Sequence, residues 1–264
     1  MVSPLTHISQ GLLNLLEICP RKCQHIYLDQ LGTPVSLEQQ EHLSWGSRFH
    51  LLMQQRELGL PVESLVKEDT QLQQWVTALV QEASTILIPA HQTFRESEHC
   101  RTLTFQDYLL TVIYDLLIED ENSAQIIDWK TYSQPKKRQE LAKDWQTRLY
   151  LYVLAETSDY LPEQLSMTYW FVRSQPRPQS VKFTYSAAQH QKTRQDLSVL
   201  LSQLTEWLQH YQDDHIPFPQ VAVSAGRCHN CTFALHCQRT AESSTNTSKD
   251  GLPNLGDIQE ISLF

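Results

Sequence analysis

The chain has no long hydrophobic run in its 264 residues. Near the N-terminus, the apolar pairs Leu12-Leu13 and Leu15-Leu16 are interrupted by Asn14 and Glu17, whereas a helix that spans a membrane needs about 20 apolar residues. The N-terminus also lacks the pattern of a signal peptide. The sequence therefore predicts no membrane segment, and a cytoplasmic location is the default expectation.

Positive charge is also scarce. Lys and Arg together number 21 against 30 Asp and Glu, which gives a formal net charge of −9. This balance argues against a protein that coats nucleic acid, because phosphate neutralisation needs Lys and Arg. It leaves room for an enzyme with a local basic groove. Six basic residues lie between positions 130 and 148: Lys130, Lys136, Lys137, Arg138, Lys143 and Arg148. A solvated helix start explains the cluster at 136–138 equally well.

The sequence shows no internal repeat, and its length suffices for one substantial core. Helices are predicted over residues 9–19, where Ser9 is the N-cap and Pro20 ends the helix, and over about 36–58, 68–86, 138–155 and 187–211. Strands are predicted over 93–105, 108–118, 124–130, 166–173 and 179–185. This order of elements predicts an α/β fold in which a mixed core carries additional helices.

The most informative segment is the predicted strand over 124–130. Alternation along this strand places Ile126, Asp128 and Lys130 on one face, and Ile127 and Trp129 on the other. A charged pair two residues apart on an otherwise apolar strand is costly if it is simply buried. Asp128 and Lys130 therefore need a partner.

Asp115 is the candidate partner. A regular hairpin around Glu121-Asn122 places Asp115 directly opposite Asp128, where the Cβ atoms of such a pair lie about 5 Å apart. Two ionised carboxylates at that distance repel unless a cation lies between them, and hard oxygen ligands suit Mg²⁺ or Mn²⁺. A salt-bridged pair on a solvent-facing strand is the alternative, and charge spacing alone does not separate the two.

Asp115, followed after a turn by Asp128-Trp129-Lys130, resembles the paired motifs of the PD-(D/E)XK nuclease superfamily. Two further features resemble its RecB-like branch. An upstream helix carries the histidine of the segment Gly46-Ser-Arg-Phe-His50, and a later helix carries Gln146-Thr-Arg-Leu-Tyr150. The resemblance covers residues 9–239. It implies a restriction-endonuclease-like mixed central sheet flanked by helices.

The resemblance also implies roles for these residues. His50, Asp115, Asp128 and the backbone carbonyl of Trp129 would ligate Mg²⁺ or Mn²⁺. Lys130 would orient or help deprotonate the attacking water and stabilise charge on the phosphate. Two residues one helical turn apart, Gln146 and Tyr150, would contact the DNA or support the site. One departure is Val112, because the family often has Gly at this position.

The implied activity is metal-dependent hydrolysis of phosphodiester bonds in DNA. Exonuclease action on ends or single strands is expected rather than sequence-specific cutting, in DNA repair, recombination or CRISPR adaptation. A catalytically silent DNA-binding or scaffold module of the same fold is the alternative. A zinc-binding structural or adaptor protein is a third interpretation, but it does not explain the opposed carboxylates of Asp115 and Asp128.

Cysteines form a second pattern. Cys228, Cys231 and Cys237 lie close together, and Cys19 precedes Pro20 far upstream. Four thiolates suit a [4Fe–4S] cluster or a zinc site, and His229 and His236 are alternative zinc ligands. The spacing is similar to that of AddB-type and CRISPR-adaptation nucleases, which implies an iron–sulfur cluster. The resemblance also implies Cys19 rather than Cys23 as the fourth ligand.

The predicted organisation is a nuclease domain over residues 1–240, with a helical insert at about 36–90 and a Cys-rich segment at 226–240. The segment 241–264 is predicted to be disordered because of its polar composition. Its end, Glu260-Ile-Ser-Leu-Phe264, resembles the Gln-Leu-Ser-Leu-Phe peptide with which DNA enzymes bind the bacterial sliding clamp, with Glu in place of Gln. Folding back onto the protein's own surface is the alternative.

Overall fold

The computed structural model describes residues 6–32, 37–62, 69–84, 94–132 and 135–239. The predicted disordered segment over 241–264 and its clamp-binding peptide lie outside the described residues. None of the described helices is long and apolar enough to cross a membrane.

The N-terminal part is mainly helical. A two-residue strand, β1 (His7–Ile8), precedes four helices: α1 (Gln10–Ile18), α2 (Pro20–Tyr27), α3 (Leu37–Glu57) and α4 (Thr70–Glu82). The sequence predicted α1, α3 and α4, but neither β1 nor α2.

The rest of the described chain alternates strands and helices. Its elements are β2 (Phe94–Phe105), β3 (Tyr108–Glu119), β4 (Ala124–Lys130), α5 (Arg138–Lys143), α6 (Trp145–Glu156), β5 (Leu165–Phe171), β6 (Gln179–Thr184) and α7 (Ala187–Asp213). Two short 3₁₀ turns lie at Pro162–Gln164 and Val223–Ala225.

The junction of α1 and α2 shows why one helix was predicted where there are two. Ser9 caps α1, since its hydroxyl accepts a hydrogen bond from the Leu12 amide at 3.4 Å. Cys19 is extended, with φ −166° and ψ 111°, so that α1 ends as predicted. Pro20 then occupies the first turn of α2, where the missing N–H of proline costs nothing.

Asp144 divides the helix that was predicted over 138–155. Its ψ of 137° interrupts the helical backbone, and its carboxylate accepts a hydrogen bond from the backbone N–H of Gln146 at 3.0 Å. On the other side, Asn14 of α1 donates to Asp144 at 2.9 Å and accepts from the Trp145 amide at 3.2 Å. The start of α6 is therefore fixed by its own cap and by α1.

Six strands of the described chain form one mixed sheet. The order β1-β3-β4-β5-β6 includes two parallel pairs, β1 with β3 and β4 with β5, and two antiparallel pairs, β3 with β4 and β5 with β6. Strand β2 pairs antiparallel with β3 along the full length of both strands. The predicted mixed sheet flanked by helices is confirmed.

The two faces of the sheet carry separate cores. The first core contains Ile126 together with residues of α1, α6 and α7, and the second contains Ile127 and Trp129 with residues of α3 and α4. The predicted alternation along β4 is therefore correct. The candidate active site lies at the end of β4, where residues of both cores meet.

Candidate active site

Strands β3 and β4 separate at the predicted carboxylate pair. Their regular pairing runs from Glu119 opposite Ala124 to Leu116 opposite Ile127, so Asp115 and Asp128 occupy the next rung. Here the Oδ2 atom of Asp115 accepts a hydrogen bond from the backbone N–H of Trp129 at 2.6 Å. The register of the hairpin thus brings both carboxylates to the place where β3 and β4 separate, as the residue count predicts.

His50 reaches Asp115 from helix α3. Its neighbours Phe49 and Met53 are buried in the second core and hold the helix against the sheet. The Nδ1 atom of His50 lies 3.3 Å from Oδ1 of Asp115. Burial alone would raise the pKa of the Asp115 carboxyl, but His50, Lys130 and the Trp129 N–H together hold that pKa below its ordinary value. The Asp115 side chain is therefore a carboxylate at neutral pH.

A third potential ligand is Glu98 of β2, which the sequence analysis missed. One ligand atom from each of His50, Glu98 and Asp115 lies within 4.8 Å of the other two. Ligands about 2.1 Å from an octahedral ion lie about 3 Å apart when adjacent and about 4.2 Å apart when opposite. One imidazole and two carboxylates at this separation therefore fit Mg²⁺ or Mn²⁺. The signal was available, because the hairpin at Gln106-Asp107 sets Glu98 across from Asp115.

Asp128 and Lys130 form an ion pair beside this group. The Nζ atom of Lys130 lies 2.7 Å from Oδ1 of Asp128, and the Gln146 side-chain amide donates to Oδ2 of Asp128 at 2.6 Å. Asp128 is only 2% exposed, so these partners offset the loss of water around its charge. The Lys130 ammonium also lies 5.6 Å from the centre of the Tyr169 ring.

Helix α6 brings Gln146 and Tyr150 to the same place, one turn apart. The Tyr114 hydroxyl donates to the backbone carbonyl of Tyr150 at 3.1 Å, which fixes this part of α6 to β3. Burial raises the pKa of the Tyr150 phenol, and the charges of Asp128 and Asp115 raise it further. The Tyr150 hydroxyl therefore stays protonated at neutral pH.

Val112, the departure from the family pattern, is 1% exposed and belongs to the first core. Its side chain packs inside the protein. The residue that replaces the family glycine therefore contributes to the core of the sheet.

The four cysteines expected to hold a cluster lie in one region. Burial raises the pKa of the Cys237 thiol, nearby Arg21 lowers it, and Cys19, Cys231 and Cys228 raise it again. The Sγ atom of Cys237 is 3.4 Å from Nε2 of His25 in α2. The structure thus brings residues from both ends of the described chain together.

Cys23 differs from these four. It is completely buried in the first core, and burial, together with the neighbouring Cys19, raises the pKa of its thiol to about 12. A thiol in these surroundings resists ionisation, whereas a metal ligand must be a thiolate.

A family model and one solved structure agree with this architecture. A family model described as the PD-(D/E)XK nuclease superfamily matches residues 7–238. The solved structure of a "putative exonuclease" from Eubacterium rectale is 10% identical with a TM-score of 0.55, and covers 94% of this chain and 91% of that chain. A second solved structure, SSO0001, is 14% identical with a TM-score of 0.36, and covers 90% and 88%. Curated protein sequences give no significant match.

Proposed function

This chain belongs to the PD-(D/E)XK nuclease superfamily, and from this premise we propose that it is a divalent-metal-dependent deoxyribonuclease. Its mixed sheet flanked by helices is consistent with the restriction-endonuclease-like fold of the superfamily. The observation that carries the proposal is the meeting of His50, Asp115 and the Asp128–Lys130 pair, from three separate elements, at the open end of the β3–β4 hairpin.

The donor set supports Mg²⁺ or Mn²⁺ as the cofactor. His50 and Asp115 would hold the ion, and the resemblance adds Asp128 and the backbone carbonyl of Trp129 as ligands. An ion held there supplies the Lewis acidity that activates water and polarises a phosphodiester. Carboxylate oxygens and one imidazole are ordinary ligands for Mn²⁺ and, through oxygen, for Mg²⁺.

Lys130 supplies the positive charge that the reaction needs. Asp128 and the Tyr169 ring restrain its ammonium group, which can donate a hydrogen bond to a phosphate oxygen and stabilise the charge that develops there. Gln146 fixes Asp128 and thereby supports Lys130. Tyr150 is buried and its phenol is hydrogen-bonded to the Gln146 side chain, so its proposed role is to support the site.

DNA is the proposed substrate. As the family resemblance implies, the proposed mode is exonuclease or end-processing action of the RecB-like type, in repair, recombination or CRISPR adaptation. The basic residues that follow β4 support this proposal, because phosphate contacts need local positive charge even in an acidic protein.

A [4Fe–4S] cluster on Cys19, Cys228, Cys231 and Cys237 is the second proposed cofactor. The four thiols influence one another electrostatically. The resemblance to AddB-type and CRISPR-adaptation nucleases favours an iron–sulfur cluster over zinc. Visible absorbance and bound iron in anaerobically purified protein are expected, and stoichiometric zinc without iron would contradict this assignment.

The proposed activity is tested with labelled single-stranded, duplex and flapped DNA. Anaerobically purified protein should cleave DNA with Mg²⁺ or Mn²⁺ and stop when EDTA is added. Asp115→Ala should abolish cleavage, whereas Asp107→Ala, a matched change at an exposed turn, should retain it. Absence of metal-dependent cleavage on all three substrates would refute the proposal.

A further inference from the structure

Glu98 and Asp115 occupy one rung of the hairpin formed by β2 and β3. The register of this hairpin runs from Phe94 opposite Glu119 to Phe105 opposite Tyr108 and sets Glu98 across from Asp115. Like charges directly opposite each other destabilise an antiparallel pair. Two carboxylates on one rung therefore call for a cation between them.

Both strands change face at this rung. On β3, Tyr114 packs in the first core, but Leu116, two residues later, packs in the second. On β2, His99 stacks on Tyr114, whereas Ser97 lies across from Leu116. Residues two apart on a regular strand share a face, so the alternation is broken in both strands at the same place.

The backbone of Glu98 accounts for the break on β2. Its φ is +52°, in the left-handed region that residues with a Cβ rarely adopt. Strained backbone of this kind persists where the surrounding structure enforces it, and it clusters at functional sites. Here the strained backbone occurs at Glu98, whose carboxylate is one of the three grouped ligands.

The result is a compact group of three potential metal ligands. The carboxylates of Glu98 and Asp115 and the imidazole of His50 each offer an atom within 4.8 Å of the others. The two carboxylate oxygens of Asp128 contact Lys130 and Gln146 at 2.7 and 2.6 Å. Glu98 of β2 therefore adds a carboxylate that can bind a cation. The family motifs do not include this residue.

We propose that Glu98 is a protein ligand of the divalent ion, together with His50 and Asp115. This inference rests on the proposed function, because it concerns the same ion. A second carboxylate ligand raises the negative charge of the site and favours a hard divalent cation.

The test is titration of the full-length protein with Mn²⁺, in the absence of DNA, by isothermal calorimetry. The wild type is expected to bind Mn²⁺ at this site. Glu98→Gln keeps the size of the side chain but removes its charge, and should weaken binding at least about tenfold, as loss of groups that serve a metal site does. Circular dichroism should show that the variant is folded, since the change also removes the repulsion from Asp115.

Two further variants make the result specific. Glu98→Gly deletes the carboxylate and suits a left-handed backbone, so it should lose Mn²⁺ affinity while it folds. Glu96→Gln changes an exposed carboxylate of the same strand, which pairs with His99 at 2.6 Å, and should change the affinity less than twofold. Equal Mn²⁺ affinity of wild type, Glu98→Gln and Glu98→Gly would overturn the inference and leave the proposed function standing. Absence of Mn²⁺ binding by the wild type would overturn both.

Discussion

Asp128 shows how single contacts prepare the site. A carboxylate that is 2% exposed needs compensation for its lost hydration, and it receives this from Lys130 on one oxygen and Gln146 on the other. The same contacts limit where the Lys130 ammonium can go. Gln146 therefore influences the reaction through Asp128, as a positioning residue.

Gln146→Ala should reduce the rate of DNA cleavage by about tenfold, because loss of a group that orients an active-site carboxylate typically costs 10–100-fold. Mn²⁺ affinity measured by calorimetry should fall by no more than the cleavage rate, since Gln146 acts on the ion only through Asp128, one of the proposed ligands. Gln139→Ala, on the exposed side of α5, is the control and should cleave like the wild type. Wild-type cleavage by Gln146→Ala would contradict this role.

At the scale of elements, the β3–β4 hairpin sets the register of the site. Its turn is closed by Asp120, whose Oδ1 atom accepts hydrogen bonds from the backbone N–H groups of Asn122 and Ser123, both at 2.8 Å. The hydroxyl of Ser123 donates to Oδ2 at 3.1 Å. These bonds, led by the one from Asn122, hold the pKa of the Asp120 carboxyl below its ordinary value.

Asp120→Ala should lower the free energy of unfolding at pH 7, in a pH-dependent way. Because the folded-state pKa lies below the ordinary value of 3.8, the stabilisation is present above pH 3.8 and is lost as the pH falls through the lowered pKa. The difference from wild type should therefore shrink in acid, as measured by urea unfolding at several pH values. A difference that does not depend on pH would contradict this account. Asp120→Asn should lose less stability, since the amide oxygen can still accept the bonds from the backbone N–H groups of Asn122 and Ser123.

The elements that the sequence predicted are those with a strong local signal. The Ser9 cap, the strand alternation around Asp128 and the hairpin that opposes it to Asp115 follow from residue type and spacing. Helix α2 was missed because Pro20 ends one helix and begins the next, and both are ordinary uses of proline. Strand β1 has two residues and thus no periodicity. The site residue Glu98 was missed although the hairpin at Gln106-Asp107 sets it across from Asp115, because the family motifs do not include it.

For the whole molecule, the two ends of the described chain are tied together. The Arg21 guanidinium of α2 donates to the Phe218 carbonyl at 2.6 Å, and that of Arg227 donates to the Glu17 carbonyl at 3.1 Å. The cysteine cluster proposed here would close a loop of about two hundred residues between Cys19 and Cys228. Closure of so long a loop removes much entropy from the unfolded chain.

Cys19→Ala should release the proposed cluster, and with it on the order of 3–5 kcal/mol of stability, by analogy with other covalent closures of long loops. Cys23→Ala is the matched control, because Cys23 is buried in the core and is not expected to bind iron. It should keep its iron and lose only about 1 kcal/mol through the lost packing of one sulfur. Bound iron and unfolding by guanidinium measure both effects. Iron loss from Cys23→Ala instead would reverse the choice of ligand.

The central claim is that a metal-dependent nuclease centre lies at the end of β4, and Lys130→Ala tests it most directly. Under single-turnover conditions with saturating Mn²⁺ and labelled DNA, this variant should cleave at least about 100-fold more slowly than wild type, the usual cost of removing a group that stabilises developing charge. Lys192→Ala, at an exposed lysine of α7 that pairs with Asp196, should cleave within about twofold of wild type. Equal cleavage rates for Lys130→Ala and wild type would contradict the account.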